Sequence, residues 1–477
     1  MSLDTRGPLT GAAPSHLAAA VLAAGGEPLV KAMGMWLEYD PAGNHYRELT
    51  NDELKSKIWK ALEGRTYPHR TPKGEAEERT LNLTTGKSAD VAEALIHLTL
   101  EPGVKSLPFW RNGTREGDPD PSTLLPVRNG LLNWKTGELM RPTPRFVSTG
   151  SSTVAFDPAE TTFYWDMFLD EVFDGDAEQV DLLHEVLGCI ITGQAKYQKI
   201  FQVFGPGRSG KGTINRMLVE LLGQEAVTSP RMSQVEQGGF GLSSLVGKTA
   251  AVLADVRLSR GRGTSALTEL LLTTSGQDLQ NIQRKHKDDF IGYLNAQWLM
   301  FSNEPVLMQD LTGVVATRMV LLETRRSFLG NEDPDLFQRD LLPEAAGVLN
   351  RCLDGARRLS ARGRFLVPRS IQGRQREILR EASTVSAFAS ECLVSDGAAS
   401  ASKQAVYDAY ETYCRGHGRT PTDQNVFWRD LRSSGKFNDA MVQRLRRGHE
   451  RVQTVNGLRV ELDPDTLPLS PGDDFDD

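Results

Sequence analysis

A glycine-rich run, Gly205-Pro206-Gly207-Arg208-Ser209-Gly210-Lys211-Gly212-Thr213, carries the strongest chemical signal in the chain. It lies between a short apolar stretch at 200–204 and a stretch of helical periodicity at 213–222. Strand, glycine-rich loop and helix in that order are what a phosphate-binding loop requires. Glycines let successive backbone N–H groups turn inward around phosphate oxygens, and the helix N-terminus adds partial positive charge. Lys211 is placed to reach the β- and γ-phosphates of a nucleoside triphosphate. The residue after the lysine is ordinarily Ser or Thr and holds Mg²⁺; here it is Gly212, and the hydroxyl comes one step later, at Thr213. Thr213 is thus a candidate for an α-phosphate contact or a water-mediated metal contact. A glycine turn that merely contains a lysine is the bland alternative, and the flanking strand and helix weigh against it.

Other residues around this loop suit the same chemistry. A second apolar stretch, 249–254, ends at Asp255, where a carboxylate beside the loop serves as the metal-side acid. A strand-ending Asp that opens a turn is the competing reading. The position after it, where a second acid would polarise the attacking water, is Val256. Asp255 doing both jobs and Glu269 assisting are the two alternatives. A third apolar stretch, 297–301, precedes Asn303. Two basic clusters stand out, Arg284-Lys285-His286-Lys287 and Arg444, Arg446, Arg447 with Arg451. A solvated charged face is the bland account of either one.

Strands alternating with helices from residue 199 onward predict a mainly parallel sheet covered on both faces. Ahead of it, 33–62 reads as short strands and then a helix capped near Asn51, 67–79 as a polar linker, 89–100 as a helix, and 126–146 as a β-meander. Helices are expected at 162–173 and 176–191. Toward the C-terminus, Tyr407, Tyr410 and Tyr413 fall at helical spacing and read as core, with Phe427, Trp428 and Leu431 on a second apolar face. A hairpin is expected around Asn456-Gly457, and 463–477 reads as a disordered acidic tail.

Composition limits the partners. A net charge of -7 means that nucleic-acid contact must come from local basic clusters. Cys189, Cys352, Cys392 and Cys414 form no CxxC pair, so a zinc ribbon and structural disulfides are not expected. No run approaches the ~18 apolar residues of a membrane helix, and no membrane partner is expected.

Taken in order, the phosphate loop, Ala254-Asp255, Arg284-Lys285-His286-Lys287, Phe301-Ser302-Asn303-Glu304-Pro305 and Arg318 resemble the superfamily 3 helicases, among them the poxvirus and phage/plasmid primase-helicases. The likeness covers roughly 129–359. It implies an α/β P-loop ATPase core, AAA+-like, with a mixed α+β N-terminal region and a C-terminal winged-helix-like domain. The expected division is 1–125 N-terminal region, 126–196 helicase-preceding region with a helical collar, 197–368 ATPase domain, 369–462 winged-helix-like domain and 463–477 tail. The resemblance further implies that Asn303 orients the lytic water and that Arg318 is an arginine finger acting on a neighbouring subunit. Lys285 and His286 then sit at the tip of a DNA-gripping hairpin, flanked by Arg284 and Lys287, while Arg444, Arg446 and Arg447 hold duplex phosphates. ATP and Mg²⁺ are the implied cofactors. Single-stranded and forked DNA, a hexameric homo-oligomer and a separate primase or other replication proteins are the implied partners, in the cytoplasm of a bacterial host. Translocation is implied to run 3′→5′. No primase carboxylate pair is visible before Asn129. Two rival functions stay open: a replication initiator that binds DNA and ATP without unwinding, and a nucleotide kinase, which leaves Asn303 and Arg318 unexplained.

Overall fold

The computed structural model describes residues 9–24, 26–72, 75–230, 240–254, 256, 262–285, 287–306, 314–375, 384–417, 421–433, 437–438, 441–447 and 450–461. Asp255, His286 and the acidic tail lie outside the described residues. The chain divides into two compact units, residues 1–257, 269–304 and 320–368, and residues 258–268, 305–319 and 369–477.

The first unit opens with helix α1 (Pro14–Ala23) and an antiparallel sheet of β1 (Leu29–Ala32), β2 (Met35–Asp40) and β3 (His45–Glu48). Helix α2 (Asn51–Leu62) starts at a capping box: the Thr50 hydroxyl accepts from the Glu53 amide, and the Glu53 carboxylate accepts from the Thr50 amide. Those bonds, with Arg47 beside it, hold the Glu53 carboxyl down at about 2. Leu54 and Ile58 of α2 share a core with Leu17 and Val21 of α1 and with Val91 and Leu95 of α3 (Thr85–Thr99).

The expected linker at 67–79 is instead a hairpin, β4 (Thr66–Arg70) with β5 (Ala76–Thr80). Every residue of β5 is exposed, so the ribbon is solvated and lacks the apolar alternation that marks a half-buried strand. The meander appears as expected, β7 (Leu124–Val127), β8 (Gly130–Asn133) and β9 (Leu139–Met140), but β10 (Phe146–Val147) leaves it to pair with β6 (Phe109–Trp110).

Helices α4 (Tyr164–Val172) and α5 (Ala177–Ile191) precede the main sheet. Its strands are β11 (Ile200–Phe204), β12 (Val227–Thr228), β13 (Ala250–Leu253), β16 (Gln297–Ser302) and β17 (Met319–Glu323), in the order β12-β13-β16-β11-β17. The pairs β12–β13, β13–β16 and β16–β11 are parallel. β11, β13 and β16 are buried along their whole length, as strands covered on both faces must be. β13, which leads to Asp255, is separated by β16 from β11, the strand that enters the glycine-rich loop.

Helix α6 (Lys211–Leu222) follows the loop and buries Ile214, Met217, Leu218, Leu221 and Leu222, one apolar stripe. A small hairpin, β14 (Gln280–Ile282) with β15 (Phe290–Gly292), precedes β16. Helix α7 (Arg262–Ser275) comes before that hairpin, and the short α8 (Val314–Arg318) comes just before β17. Helix α9 (Ala345–Arg362) packs on α5 at backbone distance. A Cβ on Gly188 would stand 2.0 Å from the Cys352 carbonyl oxygen, and one on Gly355 would stand 2.4 Å from that of His184.

In the second unit, α10 (Thr384–Cys392), β18 (Leu393–Ser402), α11 (Lys403–Gly416), α12 (Gln424–Ser433), β19 (Val442–Arg447) and β20 (Glu450–Val460) follow in order, with the sheet arranged β18-β20-β19, all antiparallel. Tyr410, Tyr413, Phe427 and Leu431 are buried in its core, as expected. The hairpin turn is not at Asn456-Gly457. β19 and β20 pair with Arg447 opposite Glu450, and Asn456-Gly457 lies inside β20, at a register shift against β18. Gly457 has a positive φ of 82°, so the dipeptide bends a strand rather than reversing it.

Candidate functional site

The register of the parallel strands brings the site together. Phe204 pairs with Ser302, so Gly205 and Asn303 emerge side by side at the carboxyl ends of β11 and β16. Leu253 pairs with Met300, which brings Ala254 level with Phe301. Open sheets of this kind bind ligands in the crevice beyond those ends. A cavity of about 1200 Å³ occupies it, lined by loop residues 208–213, Ala254, Phe301 to Asn303, the α4 residues Tyr164, Met167, Phe168 and Glu171, and part of 328–336. The first turn of α4 is held by Glu344, whose carboxylate accepts from the amides of Phe163, Tyr164 and Trp165 at 3.0, 3.0 and 2.9 Å.

The loop conformation needs its glycines. Gly205 has φ +148°, and a Cβ there would meet the Thr324 carbonyl oxygen at 2.1 Å. Gly210, at φ +86°, caps α6, and a Cβ there would lie 2.7 Å from Val172 Cγ2. Lys211 Nζ donates to the carbonyl oxygens of Gly205 and Pro206, each at 2.7 Å, and to Ser209 Oγ at 3.1 Å. The segment after β17 clamps the outside of the loop. Thr324 N donates to Phe204 O at 2.8 Å, Ser327 Oγ to Gly207 O at 2.8 Å, and Phe328 N to Arg208 O at 2.8 Å. Arg208 also lies 3.6 Å from the Glu332 carboxylate.

The loop thus offers backbone donors, a helix N-terminus and an ammonium, which together suit phosphate. Oxygen ligands for a metal are sparser. A Cβ on Gly212 would meet no atom within 4 Å, and Thr213 Oγ1 accepts from Arg216 Nη2 at 3.3 Å. Val256 is buried, with its amide on Phe301 O, while Glu269 is exposed and is not among the cavity-lining residues. The sequence reading missed the acids that do line the cavity, Glu171, Glu332 and Asp333. Asp333 bonds Arg339, which holds its carboxyl below the usual range, and Glu171 pairs with Arg326 at 3.2 Å. No local spacing marks these residues. They reach the cavity because the chain after β17 returns to the loop. A further polar side chain lies inside the sheet: the fully buried Gln202 donates from Nε2 to Ser302 Oγ at 2.9 Å, next to Asn303.

Arg284, Lys285 and Lys287 of the first basic cluster lie in the connection between β14 and β15. Lys285 is exposed there. Arg284 is corrected from a DNA contact to a buried anchor, with a side chain only 4% exposed. Its guanidinium donates to Glu48 at 2.6 Å, to Gly34 O at 2.8 Å and to Asp288 O at 2.9 Å, so each of its three nitrogens is engaged within the protein. Lys287 lies 2.9 Å from the same Glu48. Arg318 ends α8, half-buried, directly before β17. Arg444, Arg446 and Arg447 lie on β19, with Arg446 opposite Arg451 of β20. Among the described residues no helix is long and apolar enough to cross a membrane.

Residues 29–174 match the family described as D5 N terminal like, and residues 203–318 match a family of unknown function (DUF5906). The fold is similar to the A form apo structure of the NrS-1 C terminal region, at 12% identity and a TM-score of 0.47, with 93% of this chain and 99% of that chain covered. The apo structure of NrS-1 C terminal region (305-718) is similar at 10% identity and a TM-score of 0.48, with the same coverage.

Proposed function

We propose that this chain is an ATP-dependent DNA helicase of phage or plasmid replication, with a superfamily 3 P-loop ATPase core working in a ring. The observation that carries the reading is the convergence, at one cavity mouth, of the glycine-rich loop, the Lys211 ammonium and Asn303 at the end of the adjoining strand. The D5 N terminal like match of residues 29–174, directly ahead of the loop, supports a replication role.

In this reading, loop amides and the α6 N-terminus bind the phosphates and Lys211 neutralises the β/γ oxygens. Asn303 orients the attacking water. Mg²⁺, when bound, would supply further charge neutralisation at the phosphates. Such an ion keeps several waters and needs only one or two protein oxygens, which suits Thr213 and Asp255 despite Gly212. Arg318 supplies a cation to the neighbouring subunit's site, which makes hydrolysis depend on assembly. Lys285 and His286 track single-stranded DNA. Arg444, Arg446 and Arg447, on a winged-helix-like module spanning 369–462, hold duplex phosphates.

ATP hydrolysis stimulated by single-stranded DNA, with ATP-dependent displacement of a strand from forked DNA, tests the reading. Lys211→Ala should abolish both while leaving a folded protein, since one phosphate-binding cation is worth several kcal/mol at such sites. Unwinding that survives Lys211→Ala, or a wild-type protein that hydrolyses no ATP, defeats it.

A further inference from the structure

Two buried hydroxyls join the phosphate loop to the strand end behind it. Ser209 and Thr324 are each 1% exposed, and their oxygens lie 2.7 Å apart. Thr324 Oγ1 also lies 3.2 Å from the Phe204 carbonyl oxygen, and Ser209 Oγ lies 3.1 Å from Lys211 Nζ. Each hydroxyl has one proton. A carbonyl only accepts and an ammonium only donates. One assignment satisfies all three contacts: Thr324 donates to Phe204 O, Ser209 donates to Thr324, and a lone pair of Ser209 is left facing Lys211.

We propose that Thr324 and Ser209 form a positioning relay that aims Lys211 for the nucleotide's β-phosphate. The proposal rests on the nucleotide-binding reading above. Thr324 touches no phosphate; it acts by fixing the direction of the Ser209 proton. Without an acceptor at Thr324, the Ser209 hydroxyl is free to turn its proton toward the ammonium, and a donor then faces a cation. The lysine loses one of the contacts that hold its stem along the loop, and Ser209 keeps a buried proton with no partner. The same threonine donates its backbone amide to Phe204 O, so it fixes the end of β11 and the loop together. No sequence motif marks Thr324, which is 115 residues from Ser209.

Equilibrium titration with a fluorescent ADP analogue tests the relay. Thr324→Val keeps the shape and removes the hydroxyl, and Thr324→Ser keeps the hydroxyl. Thr324→Val and Ser209→Ala should each weaken ADP binding roughly tenfold, the scale of one lost hydrogen bond to a charged network, and Thr324→Ser should bind within twofold of wild type. If Thr324→Val does not fold, Ser209→Ala measures the same relay from the loop side. Affinity unchanged in the folded variants that lack a hydroxyl overturns the proposal. So does Thr324→Ser binding as weakly as Thr324→Val, because shape and not the hydroxyl would then be what matters. A wild-type protein that binds no ADP overturns the nucleotide reading itself, an outcome distinct from either of these.

Discussion

Glu48 holds Arg284 on one carboxylate oxygen at 2.6 Å and Lys287 on the other at 2.9 Å, so the last residue of β3 fastens the connection between β14 and β15. Lys31 of β1 adds an ion pair to Asp288, and a Cβ on Gly34 would meet the Asp289 carbonyl oxygen at 2.0 Å. The N-terminal sheet therefore holds the connecting segment of the hairpin. Glu48→Ala leaves the Arg284 charge buried without its counter-ion and should cost about 2–4 kcal/mol of stability. Arg284→Met, which removes the buried charge and keeps the volume, should cost less. Urea unfolding checks both; a Glu48→Ala midpoint equal to wild type contradicts the anchor.

Exposed and buried members of one basic cluster should separate cleanly. Lys285→Ala should lower single-strand affinity and reduce the steepness of its salt dependence by roughly one phosphate's share, with no change in melting temperature. Arg284→Ala should lower the melting temperature. Anisotropy titrations across a range of salt concentrations, paired with melting curves, distinguish the two. A drop in melting temperature for Lys285→Ala would show that it too belongs to the scaffold.

Position 212 offers a gain-of-hydroxyl test. Because a Cβ there meets nothing within 4 Å, Gly212→Ser should fold normally. It should also lower the Mg²⁺ concentration needed for half-maximal ATP hydrolysis, by placing a hydroxyl where related loops carry one. Gly210→Ala is the contrast, since a positive φ and the Val172 contact both oppose a side chain. It should cost about 1–3 kcal/mol and depress hydrolysis with it. An unchanged Mg²⁺ dependence in Gly212→Ser removes the metal from that side of the loop.

What could be read from the sequence was what local spacing encodes. Glycines and a lysine between an apolar run and a helical stripe marked the loop between β11 and α6, and apolar runs marked the buried strands of the sheet. Partners far apart in sequence left no such mark. Arg284 looked like one more charge in a basic run because Glu48, 236 residues away, gives no hint of its role. Thr324 and Ser327 look ordinary until the chain returns to the loop. The exposed β4–β5 ribbon buries no alternate face, so its pattern resembled a linker. Asn456-Gly457 carried a true backbone signal, a positive φ, but inside a long strand rather than at a turn.

His184 gives the fold an acid limit. Its Nε2 accepts from Trp165 Nε1 at 3.1 Å, which requires a neutral ring. Burial, reinforced by Arg351, pushes its pKa from 6.5 down to about 4, with Asp166 opposing. The folded value lies below the unfolded one, so between them the unfolded chain takes the proton first. The stability this protects is complete above pH ~6.5 and is lost as pH falls toward 4, on the order of 3 kcal/mol in all. His184→Gln keeps an acceptor for Trp165 and cannot titrate. Stability measured from pH 7 to 4 should fall less steeply in the variant. Parallel acid limbs would assign the acid sensitivity to other groups.

Arg318 tests assembly and chemistry together. If it acts across a subunit boundary, Arg318→Ala should bind ATP and hydrolyse it slowly, by roughly 10³-fold or more. Lys211→Ala fails for the complementary reason, since it lacks the phosphate-binding cation yet still offers an intact arginine to its neighbour. Mixing the two inactive proteins should create some sites with Lys211 from one chain and Arg318 from the next. Partial ATPase should then return, and only at concentrations where light scattering reports oligomers. Recovery also depends on the mixing ratio, because a composite site needs unlike neighbours; equal amounts should give the most. If mixed oligomers form and stay inactive at every ratio, Arg318 does not complete a neighbour's site and the ring mechanism falls.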